Sequence, residues 1–310
     1  MNRDDAPAEF AARVVESFGR RAIVETAAGV KLATELFGKR LAVICGDEVL
    51  VRTAAAGDAP RIVAVSQRRT TFARTDNRGR TEPLAANLTL LAVIIAPEPA
   101  PDPYIVDRYL AGAAYAGMRG AVIVNKCDLA TAQSDEFVAL IEEFRQAGYQ
   151  TLTLSARKDI DMDEARQLLR AEVAMLVGQS GVGKSTFTNA VVPASQRPTR
   201  TLSDASGEGR HTTVSTALFK IPGGGELIDS PGVRDYAPAL VDDATVQAGW
   251  PEILALAPAC RFNNCLHLRE PECAVLDAVA QRTLAPRRYE SYKRLLNIMR
   301  GLAPEYERRR

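Results

Sequence analysis

The sequence predicts an α/β protein in three parts: a small β-barrel, a doubly wound domain with a parallel sheet, and a helical domain built round a cysteine cluster. Short β-type runs separated by turns occupy the region up to about Phe72, continuous apolar runs then alternate with amphipathic helical patterns up to Val192, and Leu240 to Arg310 lacks that alternation but holds three of the five cysteines. The 310 residues accommodate two domains of about 150 residues, or two and a smaller third. With 46% hydrophobic and 25% charged residues the chain is not of the disordered class. No apolar run approaches the ~18 residues needed to span a bilayer. The start, MNRDDAPAEF, also lacks the basic-then-apolar layout of a secretory leader, so a cytoplasmic address without a membrane partner is expected.

Residues 1–20 are polar and alanine-rich and are expected to form a loose helix or tail. Over 21–76, the runs Ala22–Val24, Leu41–Ile44, Val49–Val51 and Arg61–Val65 are separated by turn residues, which fits a small closed barrel. The oligonucleotide-binding (OB) barrel is one such fold, and a β-rich cap without a ligand is the alternative. Asn77–Pro83 reads as a linker. Beyond it, Leu88–Ala96, Ala121–Val124, Thr151–Leu154 and Val173–Val177 read as strands, with helices expected at Tyr104–Met118, Ser134–Ala147 and Asp161–Glu172. Strands this apolar belong to a parallel sheet covered on both faces, and its ligands sit at the carboxyl ends of the strands. The doubly wound domain is placed at 77–239 and the helical domain at 240–310.

The chemistry concentrates at those strand ends. Gly178, Gln179, Ser180, Gly181, Val182, Gly183, Lys184, Ser185 and Thr186 lie between an apolar strand and a helical pattern, the context of a phosphate-binding P-loop. Glycines let backbone N–H groups turn toward phosphate, Lys184 reaches the outer phosphates, and the Ser185 hydroxyl meets Mg2+. Asn125, Lys126, Cys127 and Asp128 form N-K-x-D after the strand 121–124. A carboxylate at 128 accepts from the N1–H and exocyclic amine of guanine; adenine would leave it unpaired, so GTP and GDP are the expected ligands. Ser155 and Ala156 provide a third loop at the same edge, with a backbone N–H for the guanine carbonyl. Asp229 and Gly232 follow the strand 226–228, the former as the second Mg2+ contact and the latter as a γ-phosphate sensor. Either Thr212 or Thr213, with Thr213 preferred, supplies a further Mg2+ hydroxyl.

The base-reading loops precede the P-loop, the reverse of the order in an ordinary Ras-like GTPase. The sequence thus describes a circularly permuted Ras-like P-loop GTPase domain, flanked by an N-terminal OB-type β-barrel and a C-terminal α-helical zinc-binding domain. Permutation places the Asp229 switch directly before the cysteine-bearing domain. There, Cys260, Cys265, His267 and Cys273 match a closed tetrahedral Zn2+ site, structural because four protein ligands leave no open position. Three buried thiols beside a surface histidine is the alternative. The metal is expected to tie together a domain with little core of its own. Val233 stands where many GTPases place a water-orienting glutamine, which leaves His211 either to orient the attacking water or to be an exposed loop histidine.

The net charge of +1 conceals clusters. Six arginines between Arg61 and Arg80 face one acid, and nine basic residues between Arg282 and Arg310 face three. Arginine dominates the cations; GC-rich coding is one source of that bias, and a polyanionic partner touched by both flanks is the other.

With the permuted order, Gly-Arg-His-Thr-Thr at 209–213, Asp-Ser-Pro-Gly-Val-Arg at 229–234 and the C-x4-C-x-H-x5-C cluster, the chain closely resembles the RsgA (YjeQ) family of small-ribosomal-subunit assembly GTPases, from about residue 20 to 300. Arg261–His267, Glu270–Val275 and Arg288–Tyr292 resemble that family's zinc-domain signature. The resemblance implies an OB barrel, a permuted GTPase and a zinc domain acting on the 30S subunit and its 16S rRNA late in maturation, with GTP hydrolysis stimulated on the subunit. It also implies His211 as the catalytic residue. Val214 departs from the family's third threonine, which bears on the hydroxyl that meets Mg2+. A monomer is expected. The rival readings are an RNA-binding scaffold that binds GTP with negligible turnover, and a P-loop nucleoside kinase, which leaves N-K-x-D and the permuted order unexplained.

Overall fold

Residues Glu9–Phe18, expected as a loose helix or tail, form a long strand, β1. Its alanines suggest helix, but Val14 enters the barrel core while Val15 enters the core of the next domain, so both faces are buried. The protein is described here from a computed structural model that covers residues 8–53, 59–76, 78–193, 216–229 and 236–302. The barrel continues with β2 (Arg21–Thr26), β3 (Lys31–Leu36), β4 (Glu48–Arg52) and β5 (Arg61–Val65). Strand order is β1-β2-β3-β5-β4, closed by β4 against β1, with β3 and β5 parallel. This is a five-stranded OB-type barrel. Leu41–Ile44, read as a strand, is irregular, and β3 takes its place. Polar Lys31, Thr34 and Glu35 mask β3 in the sequence, yet only Thr34 and Leu36 turn inward.

The expected linker at 77–83 falls instead in a hairpin of β6 (Thr71–Thr75) and β7 (Thr81–Ala86). Asp76 closes its turn by accepting from the N–H groups of Arg78 and Arg80, both at 2.9 Å, an arrangement that polar composition disguises as a spacer. The hairpin packs on Tyr236, whose ring stacks between Phe72 and Tyr109 at centroid distances of 5.2 and 4.6 Å.

The central sheet comprises β8 (Leu90–Ile95), β9 (Arg119–Val124), β10 (Gln150–Thr153), β11 (Val173–Val177), β12 (Ala217–Lys220) and β13 (Glu226–Asp229). Its order is β10-β9-β8-β11-β13-β12; all neighbours are parallel except β12, which runs antiparallel to β13. β8 is buried along its whole length. Helices α1 (Pro103–Tyr115), α2 (Asp135–Gln146), α3 (Met162–Leu169) and α4 (Lys184–Val191) connect the strands. The P-loop strand β11 comes fourth along the chain yet lies beside β8 at the centre, which is the permuted connectivity in space. β1 pairs with β12 through Glu16 and Ala217, and Arg13–Glu226 and Lys220–Glu25 ion pairs cross the same junction, joining the barrel to the strands beside the nucleotide loops.

The C-terminal part contains α5 (Asp243–Val246), α6 (Pro251–Leu256), α7 (Ala274–Ala280) and α8 (Pro286–Leu302). Contrary to expectation it has a real core. Tyr289, Tyr292, Leu295, Leu296 and Met299 recur on one face of α8 and pack round the fully buried Trp250. Buried Arg288 pairs with Asp107 of α1 and with Glu252, while Arg287 pairs with Asp107 and Glu143, clamping α8 to the central domain. No helix among the described residues is long and apolar enough to cross a membrane.

Candidate functional site

The loop from Gly178 to Gly183 leaves β11 and enters α4 with positive φ at Gly178 (142°), Gly181 (85°) and Gly183 (96°). Two of these glycines are also demanded by close approach. A Cβ on Gly178 would lie 2.2 Å from the Ile94 carbonyl oxygen, and one on Gly183 would lie 2.3 Å from Asn125 Nδ2. Lys184 curls over the loop and donates to the carbonyls of Gly178 (2.7 Å) and Gln179 (2.6 Å). Ser185 and Thr186 are exposed on the first turn of α4, as is Ser180 in the loop, whereas Val182 is buried. Asp229 ends β13, which pairs with β11, so its carboxylate shares the edge with Lys184. Burial pushes the Asp229 carboxyl above its ordinary value against the pull of Lys184, and burial likewise lowers the Lys184 ammonium against the pull of Asp229. Bringing phosphate and a cation to this edge would relieve both groups.

Asn125, 2% exposed, joins three loops. Its Nδ2 donates to the Val182 carbonyl in the P-loop at 3.0 Å, and its Oδ1 accepts from the Ala156 N–H at 3.0 Å. Asp128 accepts from the Ser155 hydroxyl at 2.6 Å and pairs with Lys158 at 3.3 Å. The Ser155 bond, ahead of Lys158, holds its carboxyl below the ordinary value, so it is an acceptor at neutral pH. Lys126 sits at φ 63° and donates to the Glu98 carbonyl at 2.7 Å. The Cys127 N–H bonds the Leu154 carbonyl at 3.1 Å. The N–H groups of Ser155 and Ala156 are engaged by Ile160 and Asn125, so this dipeptide positions its neighbours in place of offering a free donor.

Gly232, His211, Thr212, Thr213, Val214 and Val233 lie outside the described residues. Sequence reasoning missed the segment after β8, where the Asp102 N–H reaches Gln179 Oε1 at 3.2 Å and Thr131 reaches Glu98 at 2.8 Å. Its signal was the proline-rich Ala96–Pro103 run at the carboxyl edge of a fully apolar strand.

In the C-terminal part, the ligand atoms of Cys260, Cys265, His267 and Cys273 all lie within 4.8 Å of one another, a group that can hold a metal ion. His267 Nδ1 is 3.5 Å from Cys260 Sγ and 3.4 Å from Cys273 Sγ, and the two sulfurs are 3.8 Å apart. The other ring nitrogen, Nε2, lies 3.0 Å from Gln247 Oε1, which orients the imidazole. Glu270 accepts from the N–H groups of Leu266 (3.0 Å), Leu268 (2.7 Å) and Arg269 (3.0 Å). Burial raises its carboxyl, but these backbone bonds together outweigh it and leave a value of about 2. Tyr289 and Tyr292 of α8 donate to the carbonyls of His267 and Leu266. Gln247 and Glu270 were not legible as ligand supports because each acts through one side-chain contact that only the fold creates.

A glycine-built phosphate loop, an acidic base-reading loop tied to it and a permuted parallel sheet define a circularly permuted P-loop GTPase. The profile of the RsgA GTPase family matches residues 65–238. The small ribosomal subunit biogenesis GTPase RsgA of Pseudomonas aeruginosa is 38% identical over 296 residues, covering 95% of this chain and 87% of its own. The protein of the same name from Azotobacter vinelandii is 38% identical over 298 residues, covering 94% and 86%. The chain therefore belongs to the RsgA GTPase family and is a GTP-hydrolysing enzyme. In fold it is similar to YjeQ of Thermotoga maritima (TM-score 0.70, 23% identity, 94% of this chain and 99% of that one). It is likewise similar to YloQ, a circularly permuted GTPase (TM-score 0.72, 20% identity, 99% and 100%).

Proposed function

We propose that this enzyme hydrolyses GTP to GDP and phosphate as a timing switch in maturation of the 30S small ribosomal subunit, contacting 16S rRNA, in the cytoplasm and as a single chain. The observation that carries the reading is Asn125, which locks the guanine-reading loop to the phosphate loop. In this reading Asp128 recognises guanine, the loop 178–186 and Lys184 hold the phosphates, and Ser185, Thr213 and Asp229 hold Mg2+. Gly232 senses the γ-phosphate and His211 orients water. Mg2+ supplies charge neutralisation between the phosphates when bound.

The cysteine cluster is assigned to structural Zn2+. A tetrahedron with Zn–S bonds of about 2.3 Å and a Zn–N bond of about 2.0–2.1 Å has S···S edges of about 3.8 Å and S···N edges of about 3.5 Å. The spacings of 3.8, 3.5 and 3.4 Å fit it. All-protein coordination by soft thiolates favours zinc over magnesium or calcium.

The test is GTP hydrolysis by the full chain with and without purified 30S subunits, at several salt concentrations. Stimulation that weakens with salt is expected. A flat response with retained GTP binding would instead support the scaffold reading. Loss of subunit-stimulated turnover in His211→Ala is expected, and normal turnover would make His211 an ordinary loop residue.

A further inference from the structure

The arginine clusters that suggest a polyanion in the sequence are largely engaged within the molecule. Arg68 pairs with Asp47, Arg69 with Glu48, Arg74 with Glu82 and Arg80 with Asp76. In α8, Arg287 and Arg288 are clamped to acids, Lys293 and Arg294 share Glu290, and Arg300 pairs with Asp243. The cations without an ion pair among the described residues include a set elsewhere, at one end of the barrel.

Two turns there carry the same four-residue pattern. The β1–β2 turn reads Phe18-Gly19-Arg20-Arg21, and the chain leaving β3 reads Phe37-Gly38-Lys39-Arg40. Gly19 and Gly38 have φ of 64° and 71°, and each turns its chain sharply in open space. Arg20 fastens one turn to the other. Its guanidinium donates to the carbonyls of Leu36 (2.8 Å), Gly38 and Leu41 (3.3 Å). Phe18 and Phe37 are 48% and 52% exposed, among the most exposed large apolar side chains of the described residues. Arg21, Lys39 and Arg40 are exposed, and neither four-residue turn contains an acid.

We propose that these paired Phe-Gly-basic-basic turns form a binding surface for single-stranded RNA, in which Phe18 and Phe37 stack on unpaired bases while Arg21, Lys39 and Arg40 hold the flanking phosphates. The proposal rests on the ribosomal reading above and names the surface through which that partner is gripped. An exposed phenyl ring beside unpaired cations suits a base and its phosphate, since any base offers a face for stacking. Arg20 is the positioning residue, because its guanidinium is occupied by three carbonyls. A duplex keeps its bases stacked on each other and would use the cations alone. An anionic lipid surface is the competing partner, but two rings against four cations on rigid turns offer little apolar area to insert.

The test measures fluorescence anisotropy of a fluorescein-labelled oligouridylate, and of a labelled RNA duplex, with the full-length protein across a salt series. Phe18→Ala/Phe37→Ala should weaken oligouridylate binding at least about fivefold, with duplex binding, thermal midpoint and intrinsic GTP hydrolysis unchanged. Phe18→Tyr/Phe37→Tyr should bind as the parent does, and Phe18→Leu/Phe37→Leu should behave like the alanine variant. Arg21→Ala/Lys39→Ala/Arg40→Ala should lower the salt slope on the single strand by about 2. Unchanged oligouridylate affinity in the alanine variant overturns the proposal, as does an equal loss on duplex RNA. Binding to phosphatidylserine vesicles that needs the two phenylalanines, without single-strand binding, overturns it in favour of lipid. Because these readouts need neither GTP nor the 30S subunit, absence of subunit-stimulated hydrolysis would refute the switch and leave this result standing on its own.

Discussion

Asn125→Ala tests whether one amide holds the nucleotide site together. The substitution leaves the Val182 carbonyl and the Ala156 N–H without partners, and both residues are buried. An unsatisfied buried backbone group costs about 1–3 kcal/mol, so the pair costs about 2–6 kcal/mol. At about 2–4 °C per kcal/mol for a domain of this size, the thermal midpoint of the nucleotide-free protein falls by about 4 °C or more. GTP affinity falls with it, since the loop that reads the base and the loop that cradles phosphate lose their common fastening. Calorimetric melting measures the first quantity, and titration with a fluorescent GTP analogue measures the second. Asn125→Asp sharpens the test. It keeps an acceptor for Ala156 but sets a carboxylate oxygen against the Val182 carbonyl, so it should be no better than alanine. A variant that melts and binds GTP like the parent would show that the three loops are held by something else.

Asp128→Asn should shift preference from GTP toward xanthosine triphosphate, because the amide donates where xanthine carries a carbonyl; competition binding with the two nucleotides checks it. Asp229 has a folded pKa raised above its ordinary 3.8, chiefly by burial, so its proton-linked contribution is present at low pH and is lost as pH rises through the folded value. The parent should therefore gain stability relative to Asp229→Asn as pH falls from neutrality toward the carboxylate range; a flat or opposite difference in melting temperature contradicts this assignment. Gln247→Leu should weaken metal binding about 10- to 100-fold by freeing the His267 ring, as read by competition with a chromogenic zinc chelator, without altering nucleotide affinity.

The regions legible in the sequence and those that were not differ in where their information lies. β8, β9 and β11 are apolar along nearly their whole length, so their burial on two faces was visible locally, and the P-loop and N-K-x-D patterns sit directly after two of them. β1 and β3 are short of such a signal. β1 becomes a strand because it is shared between two cores, and β3 because it pairs with β2 and β5. The hairpin at Thr71–Ala86 was hidden because its stability comes from an Asp76 turn and from Tyr236, far along the chain. The core of the C-terminal part was underestimated because Trp250 and the α8 stripe are separated in sequence.

By itself the sequence determined which chemical groups are available: glycines that permit a phosphate loop, a carboxylate that selects guanine, three thiols and an imidazole within one short stretch. It also determined their unusual order. Only the tertiary structure decided which groups are free to act. The Arg61–Arg80 and Arg282–Arg300 clusters turn largely into internal ion pairs once acids from distant elements fold against them, while the cations at Arg21, Lys39 and Arg40 stay unpaired beside two exposed rings. A charge counts toward a partner only after its neighbours in space are known, and those neighbours are set by packing across the whole chain.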